Sequence, residues 1–88
     1  GNTALMGVCF KGYSAIAELL IKTGADVNMS NFNGATALIF AATFNKPEIA
    51  ALLLAHGADK NAVDDKGNTA LQHAKMQSSA AVVALLES

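Results

Sequence analysis

Short apolar stretches alternate with polar, turn-rich segments along the whole chain. Apolar residues recur at helical spacing in six stretches, and two polar segments, 28–33 and 61–66, end in turns at Asn33-Gly34 and Lys66-Gly67. The pattern predicts six short helices in three pairs, joined by extended, hairpin-like connectors. The predicted helices are about Ala4–Lys11, Ser14–Thr23, Ala37–Phe44, Pro47–His56, Ala70–Gln77 and Ser79–Glu87.

The ends of the predicted helices carry residues that favour a start or a stop. Pro47 suits the first turn of a helix, because its missing N–H group would have no partner there. Gly24 and Gly57 supply the left-handed residue that commonly ends a helix. A threonine hydroxyl is predicted to cap the first helix of every pair. These threonines are Thr3, Thr36 and Thr69.

One segment recurs at a fixed spacing of 33 residues. Gly1-Asn2-Thr3-Ala4-Leu5 returns as Gly34-Ala35-Thr36-Ala37-Leu38 and again as Gly67-Asn68-Thr69-Ala70-Leu71. The leucine pairs at 19–20, 52–53 and 85–86 recur in the same register. We therefore divide the chain into unit 1 (residues 1–33, without a leading hairpin), unit 2 (34–66) and unit 3 (67–88, expected to be a C-terminal cap).

A single helix pair has too little surface to bury its own apolar side, so the units are expected to stack. The apolar residues of unit 1 are predicted to pack against their equivalents in unit 2. The predicted contacts join Leu5, Ile16, Leu19 and Leu20 to Leu38, Ile49, Leu52 and Leu53. The sequence therefore predicts an all-α repeat solenoid that forms a single domain over residues 1–88.

Composition narrows the possible functions. Hydrophobic residues make up 52% of the chain, with alanine, a strong helix former, the commonest of them. The net charge is −1 and there is no arginine, which argues against a nucleic-acid partner. Apolar runs such as Ala50–Ala55 are far shorter than the roughly 20 residues that cross a bilayer, so no membrane association is expected.

The repeat resembles the ankyrin repeat over the whole chain. The Thr-Pro-Leu-His stretch of that family corresponds to Thr3-Ala4-Leu5-Met6, Thr36-Ala37-Leu38-Ile39 and Thr69-Ala70-Leu71-Gln72. Its Gly-Ala-Asp-x-Asn loop corresponds to residues 24–28 and 57–61. The resemblance implies stacked helix-turn-helix units, and because Met, Ile and Gln replace the family's histidine, the side-chain hydrogen bonds of that position are expected to be absent. It also leaves open whether Asn28 or Asn61 is hydroxylated, as in some family members.

The two ends of the array differ in sequence. Lys75 stands where units 1 and 2 have Cys9 and Ala42, and Glu87 stands where they have apolar residues. Polar residues at stacking positions are typical of a terminal cap, so unit 3 is expected to end the array. Unit 1 keeps Ile21 at the position of Glu87, and we expect further repeats or another segment to precede it.

Ankyrin repeats generally bind proteins on a concave surface formed by the hairpin tips and the first helices. The resemblance places such a surface, here called the candidate face, on positions that are normally free of packing. Its apolar residues either form an interface or fold back as local core; the sequence leaves both open. The candidate face comprises Phe10, Lys11, Phe32, Asn33, Thr43, Phe44, Val63, Asp65, Lys66, Met76 and Gln77.

The sequence contains no arrangement that favours catalysis. Cys9 occupies a small, buried position of the repeat and is expected to be an inert thiol. His56 is expected to end a helix, and His73 is expected to have no acidic neighbour. One cysteine and two separated histidines argue against zinc, and no cofactor is expected. Asp26 and Asp59 are expected to bond loop N–H groups, and the Asp64-Asp65 pair to form a solvated turn.

We therefore predict a protein-binding module, not an enzyme, that acts as a monomer or as part of a longer array. The alternative is a structural or regulatory segment of a larger protein that has no partner of its own. A single cysteine suits a reducing compartment, so a cytoplasmic location is expected, with nuclear and secreted locations left open.

Overall fold

The structure, a computed structural model, describes residues 4–87, apart from the side chain of Phe10. The predicted cap at Thr3 lies outside the described residues. The described chain forms α1 (Ala4–Lys11), α2 (Ser14–Lys22), α3 (Ala37–Thr43), α4 (Pro47–Ala55), α5 (Ala70–Met76) and α6 (Ala80–Glu87).

The first helices of units 2 and 3 begin at threonine caps, as predicted. The Thr36 hydroxyl accepts the N–H of Ile39 at 3.3 Å. The Thr69 hydroxyl accepts the N–H of Gln72 at 3.3 Å, and the Gln72 side chain accepts the N–H of Thr69 at 2.8 Å. This reciprocal pair is a capping box. The expectation that residues replacing the family's histidine make no side-chain hydrogen bonds is therefore wrong at Gln72.

The predicted bounds of α1 are confirmed, whereas each of the other five predicted helices extends one residue too far. Thr23, Phe44, His56 and Gln77 each follow the last residue of their helix as the C-cap, and α6 begins one residue after Ser79. Apolar spacing alone does not mark where the backbone leaves helical geometry, which explains these errors.

The six helices form two layers. Helices α1, α3 and α5 lie side by side in one layer, and α2, α4 and α6 lie side by side in the other, with each pair packed across the layers. The connectors form only the isolated antiparallel bridges Ser30–Thr36 and Val63–Thr69 within the described residues. The fold is therefore the predicted all-α repeat solenoid, and it measures 31 × 25 × 21 Å.

The turn between the paired helices has the same left-handed backbone in all three units. Its φ angle is 79° at Gly12, 54° at Asn45 and 57° at Ser78. Glycine adopts this conformation without strain, whereas an L side chain crowds the backbone there. Units 2 and 3 therefore keep the turn at a conformational cost that unit 1 does not have.

Unit 2 supplies the centre of the hydrophobic core. Leu38, Ile49 and Leu53 are almost completely buried, as are Ala41 and Ala42 on α3. Alanines at these positions let α1, α3 and α5 approach closely, and the leucine and isoleucine side chains fill the space between the two layers. The core is therefore continuous across the stack.

Two of the predicted stacking contacts of unit 1 are wrong. Ile16 is 46% exposed and Leu19 is 60% exposed. Their equivalents in unit 2, Ile49 and Leu52, are more deeply buried, and α4 has a preceding helix of its layer, α2, beside it. We infer that these positions face the preceding unit. Position 16 consequently faces away from unit 2, and Ala17 is the α2 residue that is buried.

The opposite end of the stack is polar. Gln72, Lys75 and Glu87 are exposed, whereas the residues at the first two of these positions in units 1 and 2 are buried. The Lys75 ammonium lies 3.5 Å from the Glu87 carboxylate, so the final helix pair is joined by an ion pair on its outer side. Polar residues at this end are typical of a terminal cap, and the assignment of unit 3 as a cap stays a prediction.

Candidate functional site

The first connector is held in shape by its own hydrogen bonds. The Asn31 side-chain oxygen accepts the backbone N–H groups of Asn33 and Ala35, both at 3.0 Å. The Asn31 N–H donates to the Ala35 carbonyl at 3.0 Å. This closed turn projects residues 32 and 33 outward, and both are exposed.

The second connector repeats this geometry with a carboxylate in place of the amide. One oxygen of Asp64 accepts the backbone N–H groups of Lys66 and Asn68, both at 3.0 Å. The other oxygen lies 2.7 Å from Nε2 of His73 on α5. These bonds, above all the bond from the Asn68 N–H and the bond to His73, hold the pKa of the Asp64 carboxyl below its usual range.

The contact between Asp64 and His73 corrects two expectations. His73 does have an acidic neighbour, and Asp64 does not lie in a solvated turn, since both side chains are mostly buried. The two residues are far enough apart in sequence that only the folded connector brings them together. Asp65 keeps the exposed position that was expected for the pair.

Neighbouring connectors are tied to one another. The Asp65 N–H donates to the Asn33 carbonyl at 2.8 Å. A Cβ atom added at Gly34, where φ is 76°, would lie 3.1 Å from the Cα of Asp64, so the two connectors approach as closely as glycine allows. The tips of the two connectors therefore form one surface with a fixed spacing.

The loops that follow α2 and α4 are tied in a similar way. Asp26 and Asp59 accept the N–H groups of Asn28 and Asn61, both at 2.9 Å, as predicted. The Asn28 side chain also accepts the N–H of Asp59 at 2.7 Å and donates to the Gly57 carbonyl at 3.3 Å. Sequence reasoning missed this bridge between units, although an asparagine recurring at each loop was a signal for it.

The apolar residues of the candidate face remain largely outside the core. Phe32 is 92% exposed at the tip of the first connector, and Val63 and Met76 are more than half exposed. Phe44, at the end of α3, is less exposed and has an edge-on contact with Phe40, with 6.0 Å between ring centroids. Phe44 is therefore partly packed as local core, whereas Phe32 is not.

Most polar residues of the candidate face are exposed, and one makes a hydrogen bond within its own helix. Lys11, Asn33, Asp65, Lys66 and Gln77 are exposed. The Thr43 hydroxyl donates to the Ile39 carbonyl at 2.8 Å, so it is already used within α3. The side chain of Phe10 lies outside the described residues. Met29, half-exposed in the first loop, was missed, although an apolar residue in a polar connector is a signal of exposure.

The described residues offer little for covalent or metal chemistry. Cys9 is buried, and burial raises the pKa of its thiol to about 12, so the reactive thiolate is scarce at neutral pH. Within residues 4–87, no group of three or more His, Cys, Asp or Glu side chains is placed to hold a metal ion. No helix in the same range is long and apolar enough to cross a membrane.

Comparison with known proteins agrees with this geometry. The family model for ankyrin repeats, in three copies, matches residues 5–88. Protein phosphatase 1 regulatory subunit 12A from Mus musculus and from Rattus norvegicus are each 44% identical to this chain over 48 residues, which is 54% of this chain. The chain covers only 5% of the length of these two relatives. With its 33-residue period, paired helices and bonded connectors, the chain belongs to the ankyrin-repeat family.

Proposed function

We propose that the chain is a protein-interaction module that docks a partner protein on the candidate face. Ankyrin repeats are generally protein-interaction modules, and the observation that carries the proposal here is the exposure of Phe32. A phenylalanine that is 92% exposed makes almost no contribution to the fold, and large aromatic side chains dominate binding hot spots.

Repeat-equivalent positions support a continuous surface. The C-cap residues Phe44 and Gln77 are equivalent, as are Thr43 and Met76 at the ends of α3 and α5, and these two helices pack against each other. Because equivalent positions of stacked units are neighbours, these side chains can form one surface that runs from unit 2 to unit 3. The proposed charged rim consists of the exposed residues Lys11, Asp65 and Lys66, and such a rim favours orientation of the partner more than affinity.

The bonded connectors make the proposed surface rigid before a partner arrives. The Asn31 and Asp64 side chains each accept two backbone N–H groups, and the Asp65 N–H ties the two connectors together. A surface that needs no ordering on binding loses less conformational entropy in the complex. This preorganisation suits a partner that also has a defined shape.

Affinity capture with matched variants tests the proposal. The Phe32→Ser variant is expected to lose partners that the wild-type chain retains, with affinity lowered by about tenfold or more, that is, about 1.4 kcal/mol or more. The matched control is Tyr13→Ser, since Tyr13 is a half-exposed aromatic residue at the α1–α2 turn, outside the candidate face. Circular dichroism verifies that both variants fold. Equal loss in both variants, or in neither, contradicts the proposal.

The second candidate function is a regulatory segment of a longer chain, covered on the α2 side by a further helix pair of the same kind. The exposure of Ile16 and Leu19 favours it, because their equivalents face the preceding helix of the layer. In this case Ile16→Lys is expected to leave the isolated chain as stable as before and to destabilise the longer protein. Unchanged stability in both contexts would exclude the covering unit.

Neither candidate assigns catalysis to the chain. The names of the two relatives describe regulatory subunits, and the raised pKa of the Cys9 thiol argues against a nucleophile. The cytoplasmic location, the absence of a nucleic-acid partner and the division at residues 33 and 66 remain predictions.

A further inference from the structure

Asn33 and Gly34 form the one Asn-Gly pair in the sequence. Glycine leaves its backbone nitrogen sterically open, so an asparagine side chain that precedes glycine is accessible to attack by that nitrogen. The equivalent pair in the second connector is Lys66-Gly67, which cannot react in this way. The chain therefore contains its own comparison between two turns of the same type.

The surroundings of Asn33 leave its side chain available. Asn33 is exposed, and its carboxamide makes no hydrogen bond to any residue in the described range. By contrast, the carboxamide of Asn28 is held by Gly57 and Asp59, and that of Asn31 accepts two backbone N–H groups. Among these three asparagines of the first connector, Asn33 has the side chain that can turn toward the following nitrogen.

One contact opposes the reaction. The Gly34 N–H donates to the Asn31 carbonyl at 3.0 Å, and this bond must open before the nitrogen can attack. The bond lies in an exposed turn, where local opening requires little of the free energy of global unfolding. The folded chain should consequently react more slowly than the unfolded chain, at a rate that reports the opening of the connector tip.

We propose that Asn33 is a site of spontaneous deamidation through a succinimide with Gly34. The Gly34 nitrogen bonds to Cγ of Asn33, the Cγ–Nδ2 bond breaks, and ammonia leaves with the proton of the former Gly34 N–H. Water then opens the five-membered ring at one of its two carbonyl carbons, which gives either aspartate or isoaspartate at position 33. Both products add one negative charge to the candidate face, although the chemistry does not depend on the proposed docking function.

The two products differ in their effect on the fold. Aspartate leaves the backbone unchanged. Isoaspartate adds one atom to the backbone at the residue whose carbonyl accepts the Asp65 N–H. The longer backbone moves the carbonyl that accepts the Asp65 N–H at 2.8 Å, and the two connectors are already in close contact at Gly34. The isoaspartate form is expected to separate the two connectors and to melt at a lower temperature than the Asn33→Asp variant.

The test is incubation of the folded chain at physiological temperature and mildly alkaline pH, followed by separation of charge variants and peptide mapping by mass spectrometry. The expected result is an acidic form whose mass change maps to Asn33, with part of it a substrate for an isoaspartate-specific methyltransferase. Asn33→Lys, which installs the residue that unit 3 carries, should abolish that form. The exposed Asn61-Ala62 pair serves as the internal control and should remain unconverted.

The same chain unfolded in guanidinium chloride provides the reference rate. Conversion at Asn33 in both states, faster in the unfolded state, supports the proposal. Conversion only in the unfolded state would overturn it, because the connector would then protect Asn33 completely. Conversion of the folded chain that persists in Asn33→Lys, or that maps equally to Asn61, would also overturn it.

Discussion

Units 1 and 2 carry identical residues at the four predicted stacking positions, and three of these positions differ in burial between the two units. Ile49 of unit 2 is 1% exposed, whereas Ile16 of unit 1, one repeat earlier, is 46% exposed. Leu53 is fully buried, and the equivalent Leu20 is only partly buried. Whether such a residue belongs to the core is therefore decided by the presence of a preceding helix beside it, and the residue type alone does not show it.

The largest effect is expected when the equivalent isoleucines of units 1 and 2, Ile16 and Ile49, are each replaced by alanine. Ile49→Ala is expected to lower the free energy of unfolding by about 2–5 kcal/mol, because it removes buried methyl groups and leaves a cavity. Ile16→Ala is expected to change it by less than about 0.5 kcal/mol, since the side chain is half exposed. Urea denaturation of both variants measures the difference. Similar losses would show that α2 is covered on both sides in solution.

The two connectors extend the comparison. Asn31 and Asp64 accept backbone N–H groups at equivalent positions of their connectors, but only the Asp64 side chain ionises. The pKa of Asp64 is lowered in the folded state, so its bonds contribute fully above the ordinary carboxyl pKa of about 4. That contribution is lost as the pH falls through the lower, folded-state value. The wild-type chain is therefore expected to lose more stability in acid than Asp64→Asn does.

Urea midpoints near neutral pH and near pH 3, on either side of the ordinary carboxyl pKa, provide the measurement. All other carboxylates are common to the two proteins, so their contributions cancel in the difference. Asp64→Asn should keep both backbone bonds, as Asn31 does in the first connector. Parallel pH profiles of the two proteins would contradict the role assigned to the Asp64 bonds.

The repeat made most of the fold predictable, since a fixed period indicates which residues are equivalent and stacking then follows from their apolar character. The period does not show which side of a helix an apolar residue covers, and that is why Ile16 and Leu19 were placed wrongly. The substitution pattern contained the missing signal. Residues that face the following unit become polar in unit 3, as at Lys75, whereas position 16 remains apolar in all three units.

Contacts made by residues outside the repeat pattern could not be predicted. His73 is equivalent to Phe40 in unit 2 and to Gly7 in unit 1, so no periodic argument connects it to Asp64. For Phe32 the sequence left open exposure at a connector tip and burial as local core, and the structure has it exposed. The contact of Phe44 with Phe40 required the ring orientations, which the sequence does not contain.

A smaller effect is expected at the interhelical turn, where unit 1 has glycine and unit 3 does not. Ser78 has a φ of 57°, so Ser78→Gly relieves backbone strain and is expected to raise stability by about 0.5–1 kcal/mol. Ser30→Gly is the matched control, because the φ of Ser30 is not positive. That control should lower stability by a few tenths of a kcal/mol to about 1 kcal/mol through the added freedom of the unfolded chain. Thermal melting of both variants shows whether each substitution raises or lowers stability. Stabilisation by both substitutions, or by neither, would contradict the strain assigned to Ser78.

The smallest effect is expected at the polar end, where the ion pair between Lys75 and Glu87 is exposed. Both side chains are more than half accessible and their charged groups are 3.5 Å apart, so solvent and salt screen the attraction. Lys75→Ala is expected to change the free energy of unfolding by about 0.5 kcal/mol or less. Stability at low and high salt is the measurement. A loss comparable to that of Ile49→Ala would mean that Lys75 is buried by an additional contact, and unit 3 would then be covered on both sides like unit 2.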